Sequence, residues 1–201
     1  MNDRVKLLGL AGTNGAGKDS VGALLADHYG YFFFSFTELF REECRKRDIP
    51  AARENLRTIS AEWRRESGLA TLVDRSVAVF EAAGGMQKYK GFVMSSLRNP
   101  HEPDRIHELG GSVVWIDADP HLRYERIQKN AASRGRAAED NKTFEQFLQE
   151  EQDEMYPPAG ASNDAAVLHG AAVKERADIF LTNDGDTLES LQQEIGTKLG
   201  L

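Results

Sequence analysis

The chain has 201 residues, a formal net charge of -7 and one cysteine, Cys44. That length suits a single α/β domain with a sizeable core, the acidic balance argues against an electrostatic grip on nucleic acid, and one thiol rules out an internal disulfide and fits a reducing compartment. No apolar run approaches membrane-spanning length and Val5–Leu10 is too short for a secretory signal, so the expectation is a cytoplasmic protein with small-molecule partners.

In chain order, Val5, Leu7, Leu8 and Leu10 predict a buried strand, and Val21, Leu24 and Leu25 predict a helix ending near Gly30. Between them stands GTNGAGKDS, Gly12 to Ser20. A strand, a glycine-rich turn and a helix are the setting of a phosphate-binding loop. Glycines let successive N–H groups point into one concavity, and the new helix adds the positive end of its dipole. Gly12, Asn14, Gly15, Ala16, Gly17, Lys18, Asp19 and Ser20 are the expected nucleotide contacts, Lys18 reaching the outer phosphates of ATP. Gly12 and Gly17-Lys18 have the GxxxxGK spacing, with Asp19 where a hydroxyl residue is usual and the hydroxyl one place later, at Ser20.

The aromatic run Tyr31–Phe34 predicts a second strand, and Ser35 with Glu38 predicts a capping box opening a helix that carries Arg41. After Pro50, residues 53–67 predict a helix with Leu56, Ile59 and Trp63 on one face, and a second helix runs from Leu69 to the Gly84-Gly85 stop. Gly91–Met94 is the third strand, followed by SSLRNP and a short helix to Leu109; Val113–Ile116 is the fourth, running into Asp117. A helix over 121–129 carries Arg123 and Arg126, and Ala131–Lys142 is polar throughout. Thr143 and Gln146 predict another capping box, Tyr156–Ala172 reads as an irregular loop, Ile179–Leu181 is the last strand, and Asp186 with Glu189 predicts the cap of the final helix.

Strands alternating with helices imply a three-layer P-loop α/β fold: a five-stranded, mostly parallel sheet with helices on both faces. The whole chain reads as one kinase-type domain. Its core is 1–36, 86–128 and 173–201, a helical acceptor-covering insertion occupies about 37–85, and a lid with an irregular loop occupies about 129–172. Ligands of such sheets lie beyond the carboxyl ends of the strands. That edge carries the glycine loop, Ser35, Ser95–Arg98, Asp117 and Asn183. Arg41 and Arg98 flank it and are expected to hold phosphate, because a guanidinium fork donates two parallel hydrogen bonds. Arg134 and Arg136 occupy an arm able to close over a nucleotide. Arg45, Arg47 and Arg53 read as solvated surface residues. For magnesium (Mg2+), Asp19 and Ser20 are the candidates and Asp117 and Asp119 the alternatives, since the third strand ends in Ser95-Ser96 with no carboxylate. The five histidines show no metal-ligand spacing.

GTNGAGKDS and SSLRNPHE are similar to the glycine loop and strand–arginine–proline–glutamate pattern of phage-type deoxynucleoside monophosphate kinases. TELFREECRKRDIP, RYERI with RGRAAEDNKTFEQF, and ADIFLTNDGDTLESL resemble small P-loop proteins related to dephospho-CoA kinases and adenylate kinases. The resemblance implies that Asn183 and Gly185 line the base pocket, that Arg41 and Arg98 hold the acceptor's phosphate, and that Arg126, Arg134 and Arg136 belong to the lid and act in catalysis with Lys18. It implies a kinase using ATP and Mg2+ on a nucleoside or deoxynucleoside monophosphate. Dephospho-CoA kinase is the rival enzyme, and a nucleotide-binding regulator without turnover is the rival of another class.

Overall fold

The computed structural model describes residues 6–130, 142–156, 164–185 and 187–201. Among these, five strands form one parallel sheet: β1 (Leu7–Gly12), β2 (Tyr31–Ser35), β3 (Gly91–Leu97), β4 (Ser112–Asp117) and β5 (Ile179–Thr182), in the order β2-β3-β1-β4-β5. Every pairing is parallel, so each strand needs a crossover, and the crossovers cover both faces with helices.

The alternation of side chains along the strands sorts the core into two layers. Leu8 and Leu10 of β1 face α1 (Lys18–Tyr29) and the last helix, α10 (Leu188–Leu199), together with Val93, Val114, Ile116 and Leu181. Phe92, Met94, Val113 and Trp115 face the other way, against α2 (Phe36–Lys46), α3 (Arg53–Ser67), α4 (Thr71–Ala82), α6 (His101–Glu108) and the short α9 (Gly170–Lys174). On that face Phe80 of α4 stacks on Phe92 with centroids 4.7 Å apart, and Phe32 and Tyr89 complete the cluster. A fully buried side chain of this size contributes about 1.5–3 kcal/mol, so the aromatic cluster fastens α4 to the sheet.

Helices α2 to α5 (Gly85–Lys88) form the excursion between β2 and β3, as the sequence pattern leads one to expect. After β4, α7 (Pro120–Asn130) and α8 (Phe144–Met155) flank residues 131–141, which lie outside the described set. The Thr143 capping box forms: Thr143 Oγ1 accepts from Gln146 N at 3.3 Å and Gln146 Oε1 accepts from Thr143 N at 2.9 Å.

Three local expectations change. Ser35 caps α2 without a side-chain hydrogen bond, so its capping box is not made. Instead its hydroxyl stands 3.4 Å from Ser96 Oγ. The last helix is capped by Thr187, which accepts from Ser190 N at 3.2 Å, while Asp186 lies outside the described residues. The segment read as an irregular loop ends in α9, whose His169 N–H donates to Arg98 O at 2.9 Å. That bond ties α9 to the end of β3.

Candidate active site

The strand ends converge where the Gly12–Ser20 turn leaves the sheet. Gly12 has φ +137°, and a Cβ there would lie 1.9 Å from the carbonyl oxygen of Ile116 on β4. Only glycine lets β1 run this close to its neighbour before turning. Gly17 caps α1 with φ +93°, and a Cβ on it would meet Asn183 Nδ2 at 2.5 Å. Asn183 Nδ2 donates to Ala16 O at 2.9 Å, so the residue after β5 braces the loop from below. Thr13 Oγ1 donates to Asp117 Oδ1 at 2.7 Å and fixes the loop to the end of β4.

Arg123, almost wholly buried, is a structural residue here rather than a phosphate ligand. Its Nε donates to Ala118 O at 2.8 Å, its Nη1 reaches Asn14 O at 3.3 Å, and its fork pairs with Glu151 of α8. The sequence offered no sign of this partner, which lies on the far side of the undescribed 131–141 segment.

Lys18 opens α1 with its ammonium folded back over the loop, donating to Gly12 O at 3.0 Å and Thr13 O at 2.7 Å. Burial pushes its pKa down to about 7, helped by the nearby charges of Arg98 and Arg123 and opposed by Asp19 and Glu154. A buried cation held by carbonyl oxygens beside two guanidiniums calls for an anion. The loop geometry and this charge fit the phosphates of a nucleotide.

The end of β3 carries the least regular backbone of the site. Leu10 pairs with Ser95 but Ala11 pairs with Leu97, so Ser96 is extruded as a bulge, with φ +78°. A non-glycine residue in the left-handed region is strained, and such positions cluster at functional sites. Ser96 faces the cleft. Its neighbour Ser95 donates to Asp19 Oδ1 at 2.8 Å. The usual arrangement of hydroxyl on the loop and carboxylate on the strand is thus present with its members exchanged. The carboxylate missing from β3 arrives from the first turn of α1. Asp19 and Ser20, both exposed to the cleft, carry the hard oxygen donors that suit Mg2+.

Around this edge lies a cleft of about 900 Å³. Its walls include the loop, Ser96, Arg41, Arg98, Arg126, Asn183 and Gly185. Arg126 lines the cleft with its fork donating to the carbonyls of Asn183 (2.8 Å) and Gly185 (3.1 Å), so it shapes the turn after β5. Arg41 borders the cleft on an exposed face of α2, paired with Glu38 at 2.6 Å. Arg134 and Arg136 lie outside the described residues.

A recess of about 100 Å³ adjoins the cleft and shares Asn14, Thr37, Ser96 and Arg98 with it. Here the reading of Arg53 as a solvated surface residue is corrected. Arg53, Arg57, Ser60 and Arg64 all line the recess from α3. Spacings of four, three and four put them on one helical face beside the apolar stripe, a signal present in the sequence. Arg64 is buried and pairs with the equally buried Glu102 at 2.6 Å. The second oxygen of Glu102 accepts the N–H groups of Arg98 (2.7 Å) and Asn99 (3.0 Å). That pair fastens the insertion to the loop carrying Arg98.

This fold and loop define a P-loop protein of kinase-like architecture. A model described as AAA domain matches residues 8–151. The chain resembles the UPF0200 protein PYRAB09750 of Pyrococcus abyssi, 33% identical over 92% of this chain and 91% of that relative, and the UPF0200 protein PAE1629 of Pyrobaculum aerophilum, 25% identical over 97% of each. It belongs to the AAA domain family and to the UPF0200 proteins. Among solved structures, shikimate kinase from Bacteroides thetaiotaomicron superposes with a TM-score of 0.54 at 13% identity over 97% of this chain and 98% of that one. A gluconokinase from Sinorhizobium meliloti does so with 0.52 at 17% identity over 98% and 93%. At such identities the likeness is one of fold.

Proposed function

We propose that the protein is an ATP-dependent phosphotransferase of the nucleoside or deoxynucleoside monophosphate kinase type, acting on a small phosphorylated acceptor. The observation that carries this reading is the pair of adjoining cavities, one built on a phosphate-binding loop and the other lined by arginines, with Arg98 and Ser96 in both walls. A loop alone binds; a loop beside a second anion-attracting recess can position donor and acceptor in line.

In this reading the backbone N–H groups of the loop and Lys18 hold the donor's phosphates. The γ-phosphoryl group leaves the β-phosphate oxygen and forms its new bond to an oxygen of the acceptor. Lys18 and Arg98, which both line the cleft, offset the spreading charge of that transfer. Asn183, Gly185 and Arg126 shape the end that takes the nucleoside's base, and Arg41 lies at the mouth. Magnesium, when bound at Asp19 and Ser20, would neutralise charge on the phosphates.

A second reading, kinase action on a hydroxyl such as that of dephospho-CoA, is favoured by the Asp19–Ser95 contact, which brings a carboxylate to the strand end where a base is needed. The carboxylate at that strand end also weighs against a regulator without turnover. A panel separates them: with ATP and Mg2+, the protein is expected to phosphorylate at least one nucleoside monophosphate. Turnover of dephospho-CoA alone would move the assignment to the hydroxyl acceptor. ATP binding without turnover of any acceptor would leave a binding protein.

A further inference from the structure

Three guanidinium groups meet in the small recess, and the charge that satisfies them belongs to the protein. Glu154, in the last turn of α8, pairs with Arg98, accepts from Arg57 Nη2 at 2.9 Å and lies 3.6 Å from Arg53 Nη1. Burial pushes this carboxyl group up, but Arg98, Arg53 and Arg57 together outweigh that and hold it at about 2. Glu154 is therefore an anion throughout the physiological range, and it sits where a ligand's anion would find its partners.

Glu102 shows what a purely structural carboxylate looks like in the same neighbourhood. Its side chain is fully buried, and its two oxygens are committed to Arg64 and to two backbone N–H groups. Glu154 differs in two respects. Its partners remain open to the recess and cleft, with Arg57 45% and Arg98 27% exposed. One carboxylate also serves three forks, whereas a fork can grip two oxygens at once. Arg53 is shared with Glu150, which also takes Lys142. The helix that carries Glu154 does not depend on it: α8 is held by Glu151 on Arg123 and by Phe147, 1% exposed in the core. Met155 beside it packs on the core, and a Cβ on Gly170 of α9 would lie 3.2 Å from Glu154 O, so the helix end stays docked and release of Glu154 is a swing of its side chain.

We propose that Arg53, Arg57 and Arg98 form the binding site for the acceptor's anionic group, phosphate or carboxylate, and that Glu154 is an internal placeholder which that group displaces. The inference rests on the acceptor reading above and adds to it a specificity device. A ligand without an anion cannot compete with Glu154 and does not enter. The empty protein keeps its arginines paired and its recess small.

The test fills the loop with a non-hydrolysable ATP analogue and titrates inorganic phosphate, and separately malonate, by calorimetry. Glu154→Gln is expected to bind the preferred anion about tenfold more tightly than the natural protein, roughly 1.4 kcal/mol. Arg57→Gln is expected to bind it more weakly. Preference for phosphate assigns a phosphorylated acceptor, and preference for malonate a carboxylate. Unchanged or weaker binding by Glu154→Gln overturns the placeholder. If neither anion binds any form while the ATP analogue is still held, the anionic-acceptor reading itself is overturned. On the natural protein, the carboxyl-carbon NMR signal of Glu154 should move when the anion binds; a signal that does not move overturns the displacement of Glu154 independently of any variant's folding.

Discussion

The two halves of the cleft are built in opposite ways. The side we assign to the nucleotide is made from one unbroken stretch, Gly12 to Ser20, whose working groups are mostly backbone; distant residues such as Asn183, Asp117 and Arg123 hold it in shape. The side we assign to the acceptor is made from charged side chains on α3, the β3 exit and α8, Arg53 and Glu154 standing 101 positions apart in the chain. Backbone geometry recruits any polyphosphate, since every such ligand presents the same oxygens. Side chains collected from three elements can be exchanged one at a time, which is where discrimination between acceptors belongs.

The sharpest break in that comparison is Lys18→Ala. It should lower turnover by about a hundredfold to a thousandfold, as removal of one preorganised donor from a transfer site does, while acceptor binding measured by calorimetry stays near its natural value. Equal loss of both would mean that the two sides are not separable.

On the acceptor side, Glu102→Ala strands Arg64 in the core. Removing one partner of a buried pair costs about 3–5 kcal/mol, so the denaturant midpoint should fall steeply. A change under about 1 kcal/mol would show that the insertion is not fastened through this pair. Glu154→Gln should cost far less, because its arginines stay in contact with water.

The smallest effect concerns protons. Burial, and after it the charge of Arg98, pushes the pKa of the Lys18 ammonium down to about 7. Phosphate oxygens beside the ammonium raise it again, so at pH 8 to 9 nucleotide binding should take up as much as one proton, and at pH 6 almost none. Calorimetry in buffers of different ionisation enthalpy measures this uptake. Lys18→Met should abolish it, and uptake that persisted in that variant would have to come from another group.

The loop, the strands, the helical excursion and the Thr143 capping box were legible because each is a local pattern, settled within a dozen residues by φ preferences, apolar period or side-chain reach. Ser35 and Glu38 matched a capping box equally well and did not form one, since the tertiary structure puts Ser96 beside the Ser35 hydroxyl. Arg53 looked like a surface residue, and nothing marked Arg57, because their partners on α8 are separated from them by about half the chain. Their alignment with Ser60 and Arg64 on one helical face was the available sign.

The sequence by itself determined that this chain carries a loop of the phosphate-binding type, because the spacing of Gly12, Gly17 and Lys18 between a strand and a helix is a local pattern. It also displayed an absence, Ser95-Ser96 where a carboxylate is usual. Only the tertiary structure decided what that absence meant. By stacking β3 against the first turn of α1 it set Ser95 Oγ 2.8 Å from Asp19 and returned the carboxylate from another segment. By docking α8 across the recess it gave three arginines a partner in Glu154. Charge acts through space, and a chain shows which residues share a space only once it is folded.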